Sequence, residues 1–242
     1  PYAIEVAKLI EPSSVAVAVE LASGTGRVTC HLRNRLPATA KLIASDISLD
    51  MLSIAKIKSG KADIDWQTID AQQLPFEENS IDLIVCCFGY MFVPDKPKAF
   101  AEAYRVLRKG GMLLFTTWDK LEFNGLSYTY RSIATEYLPG PLPESFNLPF
   151  SMSDESVIKS LLHNAGFLKI SIEHSKHISR TKTAREAINN VSQGGYIYNE
   201  IMKQDPAIMD EIRIRAEKEL AEKYGAAPMV APMSAIISQA WK

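Results

Sequence analysis

The chain is poor in cysteine, in charge of one sign and in long apolar runs, and each shortage closes off a class of protein. Its three cysteines, Cys30, Cys86 and Cys87, are odd in number and lack a spaced framework. That argues against a disulfide-stapled secreted domain and against a zinc site. The expectation is reduced thiols in or near a core, and no metal. Lys and Arg number 27 against 28 Asp and Glu, so the whole-molecule field gives no reason to expect a nucleic-acid partner. No apolar stretch approaches the roughly 18 residues that span a bilayer, and no charged leader precedes one. The reading is therefore cytoplasmic, without a membrane partner. Repeats and low-complexity tracts are also missing. What remains, 242 residues, suits one medium α/β domain, or one domain carrying an inserted cover. The opening PYAIEVAKLI starts inside an apolar-periodic helix with no cap and no Met, so further residues are expected before Pro1.

Two hydrophobic periods alternate through the first half, the mark of βα units and a mostly parallel sheet. VAVAVEL is a short β-rich run ending at a glycine turn, and Thr25 to Leu36 reads as a helix stopped by Pro37. KLIASDI is a second strand, followed by a helix that Ser48 caps and Gly60 ends. IDWQTID and IDLIVCCF are the third and fourth strands, on either side of the turn QQLPFEENS. KPKAFAEAYRVLRK reads as a helix closing on Lys109, before Gly110, Gly111 and the strand MLLFTTW. After Trp118 the rhythm changes, and Phe123 to Phe150 suits a helix and loop. A regular unit then returns as the helix ESVIKSLLHNA, capped by Ser153 or Asp154, and the strand FLKISIEHSKHIS. Thr183 to Tyr224 holds at least two helices, the last turning Ile208, Ile212 and Leu220 inward, and MSAIISQAW closes the chain as a strand.

The stretch VELASGTGRVT carries the chemistry. A strand that ends in an acid and Gly-x-Gly and then opens a helix aims backbone N–H groups and a helix dipole at one spot. No Lys follows Gly26, which excludes a phosphate-cradling P-loop. The third glycine of a dinucleotide fingerprint would fall on Thr29, whose side chain disfavours that ligand. Glu20, at the end of the first strand, can accept from an ammonium. Asp46, at the end of the second, can accept two ribose hydroxyls. Asp70, at the end of the third, can accept from an exocyclic amine, with the Ala71 amide as a donor to a ring nitrogen. An ammonium and carboxylate, a ribose and an adenine together describe S-adenosyl-L-methionine or its demethylated product. The alternatives left open are an NAD-dependent oxidoreductase and a non-catalytic module that binds the same cofactor.

These residues resemble the class I S-adenosylmethionine-dependent methyltransferases, in particular the group containing the ubiquinone and menaquinone biosynthesis enzymes. VELASGTGRVT is similar to that family's first motif, with Ala22 where the family has glycine; SDISLDML and IDAQQLPFEENSIDLIVC are similar to the second and third. The resemblance implies cofactor contacts from Glu20, Ala22, Ser23, Gly24, Gly26, Asp46, Ile47, Met51, Asp70, Ala71, Cys87 and Phe88, with Cys87 standing where a subgroup often has Gln. It also implies a Rossmann-like, mostly parallel α/β sheet of seven strands in the order 3-2-1-4-5-7-6, strand 7 antiparallel, with helices on both faces. Residues 1–182 and 230–242 would form that core, and 183–229 a helical insert covering the substrate, with Gly194 and Gly195 as its hinge. Tyr90, Phe92, Trp118, Tyr128, Tyr130, Tyr196 and Tyr198 are candidate walls for a small-molecule acceptor. The four histidines, His31, His163, His174 and His177, give no confident general base, and oligomeric state is not readable.

Overall fold

The computed structural model describes residues 1–138, 144–193 and 195–242, with the backbone alone at 195, 196 and 204. Seven strands form one sheet in the order β3-β2-β1-β4-β5-β7-β6, the expected one. They are β1 (Val17–Leu21), β2 (Lys41–Ser45), β3 (Asp65–Gln67), β4 (Ile81–Cys87), β5 (Leu107–Trp118), β6 (Lys169–Thr181) and β7 (Met229–Trp241). β1 pairs in parallel with β2 and β4, β2 with β3, and β4 with β5. β7 runs the other way: Gly110 N donates to Lys242 O at 2.7 Å and Asp119 N donates to Ser234 O at 3.2 Å, so partners descend in number as β5 ascends. Ala18, Val19, Glu20 and Leu21 are all buried, as a central parallel strand covered on both faces requires.

By contacts the chain divides into two compact units, one of residues 1–117, 154–173 and 236–242, the other of 118–153 and 174–235. In the first, α1 (Tyr2–Lys8), α2 (Arg27–Arg35), α3 (Leu49–Ser59), α4 (Lys96–Val106) and α6 (Glu155–Ala165) surround the strands. Their starts follow their caps: Ser48 Oγ accepts from Met51 N at 3.3 Å, and Asp95 Oδ1 from Lys98 N at 3.0 Å. α2 begins two residues later than its sequence suggests, because Gly26 takes the left-handed conformation (φ 78°) as its N-cap. α4 ends earlier than expected. Leu107 to Gly111 belong to β5, where Leu107 pairs with Ile81 and Gly111 with Lys242. The core joins Leu32, Leu42, Leu83, Val85 and Leu114 with the stacked rings of Tyr90 and Phe100.

The second unit contains α5 (Gly125–Glu136), α7 (Ala184–Val191), α8 (Gly195–Gln204) and α9 (Pro206–Tyr224), three helices where the sequence between 183 and 224 promised at least two. Tyr130, Ile133, Ile188, Ile201, Ile212, Leu220 and Met229 form its core. Ile212 and Leu220 face inward as expected, with Ile208 packed at the margin. The segment 183–229 lies wholly within this unit, and Gly194 lies outside the described residues. A buried carboxylate organises the unit's polar interior. Asp119 is fully buried and accepts from His174 Nδ1 and Ser234 Oγ, each at 2.7 Å, and from Lys120 N at 2.7 Å. Burial alone would raise its pKa, but the bonds from His174, Ser234 and Lys120 more than reverse this and hold it below the ordinary aspartate value.

The exits of β1 and β4 meet at one contact. Ala22 and Phe88 both adopt positive φ, 53° and 58°, a conformation that costs a residue with a Cβ about 1–2 kcal/mol. Gly89 follows Phe88, and a Cβ there would lie 2.5 Å from the Ala22 Cβ and 2.6 Å from Cys86 Sγ. Gly89→Ala should therefore destabilise the chain by about 1–3 kcal/mol through overpacking. Adding Ala22→Gly should recover part of that loss, since only the sulfur contact would remain. Thermal denaturation of the single and double variants measures both, and strict additivity would disprove the contact. A second expectation concerns Asp119. Its folded carboxyl titrates below 3.8, so its stabilisation is present above that pH and is lost as pH falls through the folded value. Asp119→Asn should cost about 1–3 kcal/mol at neutral pH in urea unfolding, with a smaller difference in acid.

Candidate functional site

At the carboxyl ends of β1, β2 and β4, within the first unit, lies a cavity of about 490 Å³, a size usual for small-molecule sites. Eight of the twelve residues expected at the cofactor line it: Ala22, Gly24, Asp46, Ile47, Met51, Asp70, Ala71 and Phe88. Leu21, Ser48, Ile69, Gln72, Gly89, Phe92, Val93 and Pro94 complete the wall. Two of these sixteen residues are acids, and none is Lys, Arg or His.

The other four expected residues stand behind the wall. Ser23 is buried, and its N–H donates to Ser45 O at 2.8 Å. Gly26 holds the turn: a Cβ there would come within 3.1 Å of Ala55 Cβ and 3.4 Å of Trp66. Cys87 is half-buried, and burial raises its thiol pKa as it does that of Cys86, pushed up to about 12. Neither thiol is an anion at neutral pH. Glu20 is 1% exposed, and its Oε2 has no hydrogen-bond partner. Desolvation raises its pKa to about 8, and the nearby Asp46 charge adds to this. The Thr29 hydroxyl beside it opposes the shift without a well-shaped hydrogen bond. A buried carboxyl with an orphaned oxygen is costly in isolation and marks a place that a donor would complete.

Backbone geometry departs from the expected anion cradle. Gly24 N donates to Asp46 Oδ2 at 2.8 Å, and Gly26 N to Ser23 O at 3.0 Å, so these amides are satisfied within the protein. Asp46 Oδ1 also accepts from Ser48 N at 2.9 Å. Each Asp46 oxygen accepts one backbone bond and keeps a lone pair for a ligand hydroxyl. Asp70 Oδ1 accepts from Gln72 N at 2.9 Å, and both of its oxygens accept from Gln72 Nε2, at 3.0 and 3.1 Å. The Gln72 backbone bond, then its side chain, lowers the Asp70 pKa. Gln72 Oε1 in turn accepts from Asp95 N at 3.0 Å, tying two loops together. Sequence reasoning missed Gln72. Its place two residues after Asp70, as in any Asx-type turn, was the available signal.

The aromatic candidates do not come together. Phe92 lines the cavity and is 50% exposed. Tyr90 is fully buried, stacked on Phe100 at 4.5 Å and edge-on to Phe115 at 5.5 Å, and so is a core ring. Trp118, Tyr128, Tyr130 and Tyr198 belong to the second unit. There Tyr130 is buried in the core, Tyr198 packs against it and Tyr128 is exposed. The Tyr196 side chain lies outside the described residues. Among the described residues no three His, Cys, Asp or Glu side chains group as a metal site, and no helix is long and apolar enough to cross a membrane.

Comparison with known proteins follows this geometry. Residues 19–115 match the family described as a methyltransferase domain. Over 163 residues, 62% of this chain and 65% of the relative, the sequence is 33% identical to the ubiquinone/menaquinone biosynthesis C-methyltransferase UbiE of Pseudoalteromonas translucida (strain TAC 125). The match thus spans slightly less than two thirds of that relative's length. The crystal structure of the YcgJ protein from Bacillus subtilis aligns with a TM-score of 0.65 and 16% identity, covering 100% of this chain and 98% of that one. Haemonchus contortus phosphoethanolamine N-methyltransferase 2, in complex with S-adenosyl-L-methionine, aligns with a TM-score of 0.61 and 17% identity, over 100% and 52%. At such identities these two structures speak to the fold alone. By the match over residues 19–115 and by its sheet order, the chain carries a methyltransferase domain on the class I methyltransferase fold.

Proposed function

We propose that the chain binds S-adenosyl-L-methionine in the 490 Å³ cavity and transfers its methyl group to a small-molecule acceptor. The observation that carries this reading is the charge of the site. Two carboxylates line the cavity, a third with an orphaned oxygen is buried behind it, and no cation stands among the lining residues. A dinucleotide's pyrophosphate would face like charge there. A ligand carrying an ammonium and a sulfonium meets opposite charge instead.

In this reading Glu20 takes the ammonium, whose donor completes Oε2, and Asp46 takes the ribose hydroxyls with its two remaining lone pairs. Ile47 and Met51 pack on the nucleoside, Asp70 and the Ala71 amide take the adenine edge, and Gln72 orients Asp70. Ala22, Ser23, Gly24 and Gly26 shape the turn, and Cys87 and Phe88 the fourth-strand exit. The cofactor when bound supplies a methyl group on a good leaving group, so the protein's part is to position the acceptor and exclude water. Such positioning contributes up to about 7–11 kcal/mol. No side chain is assigned as general base. The relatives' C-methylation in ubiquinone and menaquinone biosynthesis makes a quinone-type ring carbon the first acceptor to test. The three free thiols suit a reducing compartment, and we place the protein in the cytoplasm.

Titration calorimetry with S-adenosylhomocysteine tests the site. Asp46→Ala should weaken binding about tenfold or more, through two lost hydrogen bonds; an unchanged dissociation constant would reject the assignment. Glu20 adds a pH signature. Its carboxyl is protonated below about pH 8 in the unliganded protein, and a ligand ammonium favours the ionised form. Binding should therefore release a proton, and affinity should rise between pH 6 and 8, by at most about tenfold per unit. Glu20→Gln should abolish both the release and the rise. Proton uptake in paired buffers of different ionisation enthalpy would contradict the role given to Glu20.

A further inference from the structure

Helix α3 carries an apolar face that no element covers among the described residues. Leu52 and Ala55 turn inward and are buried, while Ile54 and Ile57 are 43% and 81% exposed. Ile47, Leu49 and Met51 are exposed as well. Single exposed apolar residues are ordinary, but five between positions 47 and 57 form a patch, and a patch of this kind marks an interaction surface. Charge lies beside it. Residues 51–62, MLSIAKIKSGKA, contain Lys56, Lys58 and Lys61 and no acid, in a chain of net charge −1. Asp50 and Asp63 bound the stretch. All three lysines are exposed, and none forms an ion pair among the described residues.

We propose that this face seats on an anionic lipid surface, with the aliphatic side chains entering the headgroup region and the lysines meeting lipid phosphates. Composition favours lipid over a protein partner. Protein interfaces are enriched in aromatics and Arg and depleted in Lys, whereas residues 47–62 hold no aromatic, no Arg and three lysines. Long aliphatics beside lysines are what an interfacial helix uses. The helix need not be amphipathic as a whole, because one side is already packed on the protein through Leu52 and Ala55. Ile47 and Met51 belong both to this surface and to the cavity wall, so a seated bilayer would lie beside the cavity's lip. The sequence suggested no membrane partner because no docking element was visible in it; α3 is such an element.

Co-sedimentation of the intact chain with phosphatidylcholine vesicles, with and without phosphatidylglycerol, tests the proposal without any cofactor. It can therefore fail independently of the methyltransferase reading. The expected result is binding to the anionic vesicles that weakens with salt, about fivefold weaker partitioning in Lys58→Gln, and on the order of tenfold or more in the double variant Ile54→Glu, Ile57→Glu. Both changes lie on the surface and outside the cavity wall, and an unaltered thermal melt checks that the variants fold. Absent binding, equal binding to the two vesicle types, or binding indifferent to the double variant would overturn the proposal. So would a double variant that changes only the oligomeric state by light scattering, which would assign the face to a second copy of the chain.

Discussion

The site depends on one carboxylate. Asp46 ends β2, yet it accepts the Gly24 amide from the turn after β1 and the Ser48 amide at the start of α3. One side chain thus sets the spacing between two strand exits and the entry of the helix that forms the cavity's far wall. A neutral acceptor could make either bond, but charge strengthens both, and only a carboxylate makes both while keeping a lone pair on each oxygen. The parallel pairing of β1 with β2, from Val17–Lys41 to Glu20–Ala44, brings the two exits to the same level. Without that register the carboxylate would not reach the turn.

Negative charge accumulates here with no compensating cation, which is unusual for a buried place. Glu20 meets the problem by remaining protonated, since desolvation and the Asp46 charge both raise its pKa. Asp70 meets it differently, by accepting three bonds from Gln72. One acid is therefore held neutral and ready to ionise when a cation arrives, while the other stays charged. Perturbation of this kind in a cleft is a recognised sign of function. It distinguishes this turn from a glycine corner that serves only packing, because a packing corner has no use for a buried, unpartnered carboxyl.

Much of this was legible in the chain itself. The glycines, the three strand-end acids and the alternation of periods are local signals, and each landed on the element it implied. What escaped detection depends on long-range contact. The extension of β5 back to Leu107 follows from pairing with Ile81 and Lys242, which no local propensity encodes. The use of the turn's amides inside the protein likewise needed the position of Asp46 in space. Tyr90 had the composition of a pocket wall, but the rings of Phe100 and Phe115 enclose it. Helix α3 hid its exposed face because apolar residues lie on both sides, so periodicity cannot separate the buried Leu52 and Ala55 from the exposed Ile54 and Ile57.

Ala22 shows how a departure from a motif is accommodated. Glycine suits the first position of the turn because the backbone there is left-handed, and alanine pays a steric penalty for the same φ of 53°. Its methyl group needs space in the direction of β4. That space exists because the next strand exit carries glycine at 89, whose missing Cβ would otherwise overlap the methyl group. Phe88, also left-handed, turns the β4 exit so that Gly89 is the residue presented, and Phe88 N donates to Thr116 O on β5 at 3.0 Å to hold that turn. The strain at the two exits is therefore coupled across one parallel strand pair, with both strained residues on the cavity wall. Such strain persists only where the surroundings over-determine it, and here the central strands of the sheet provide that constraint.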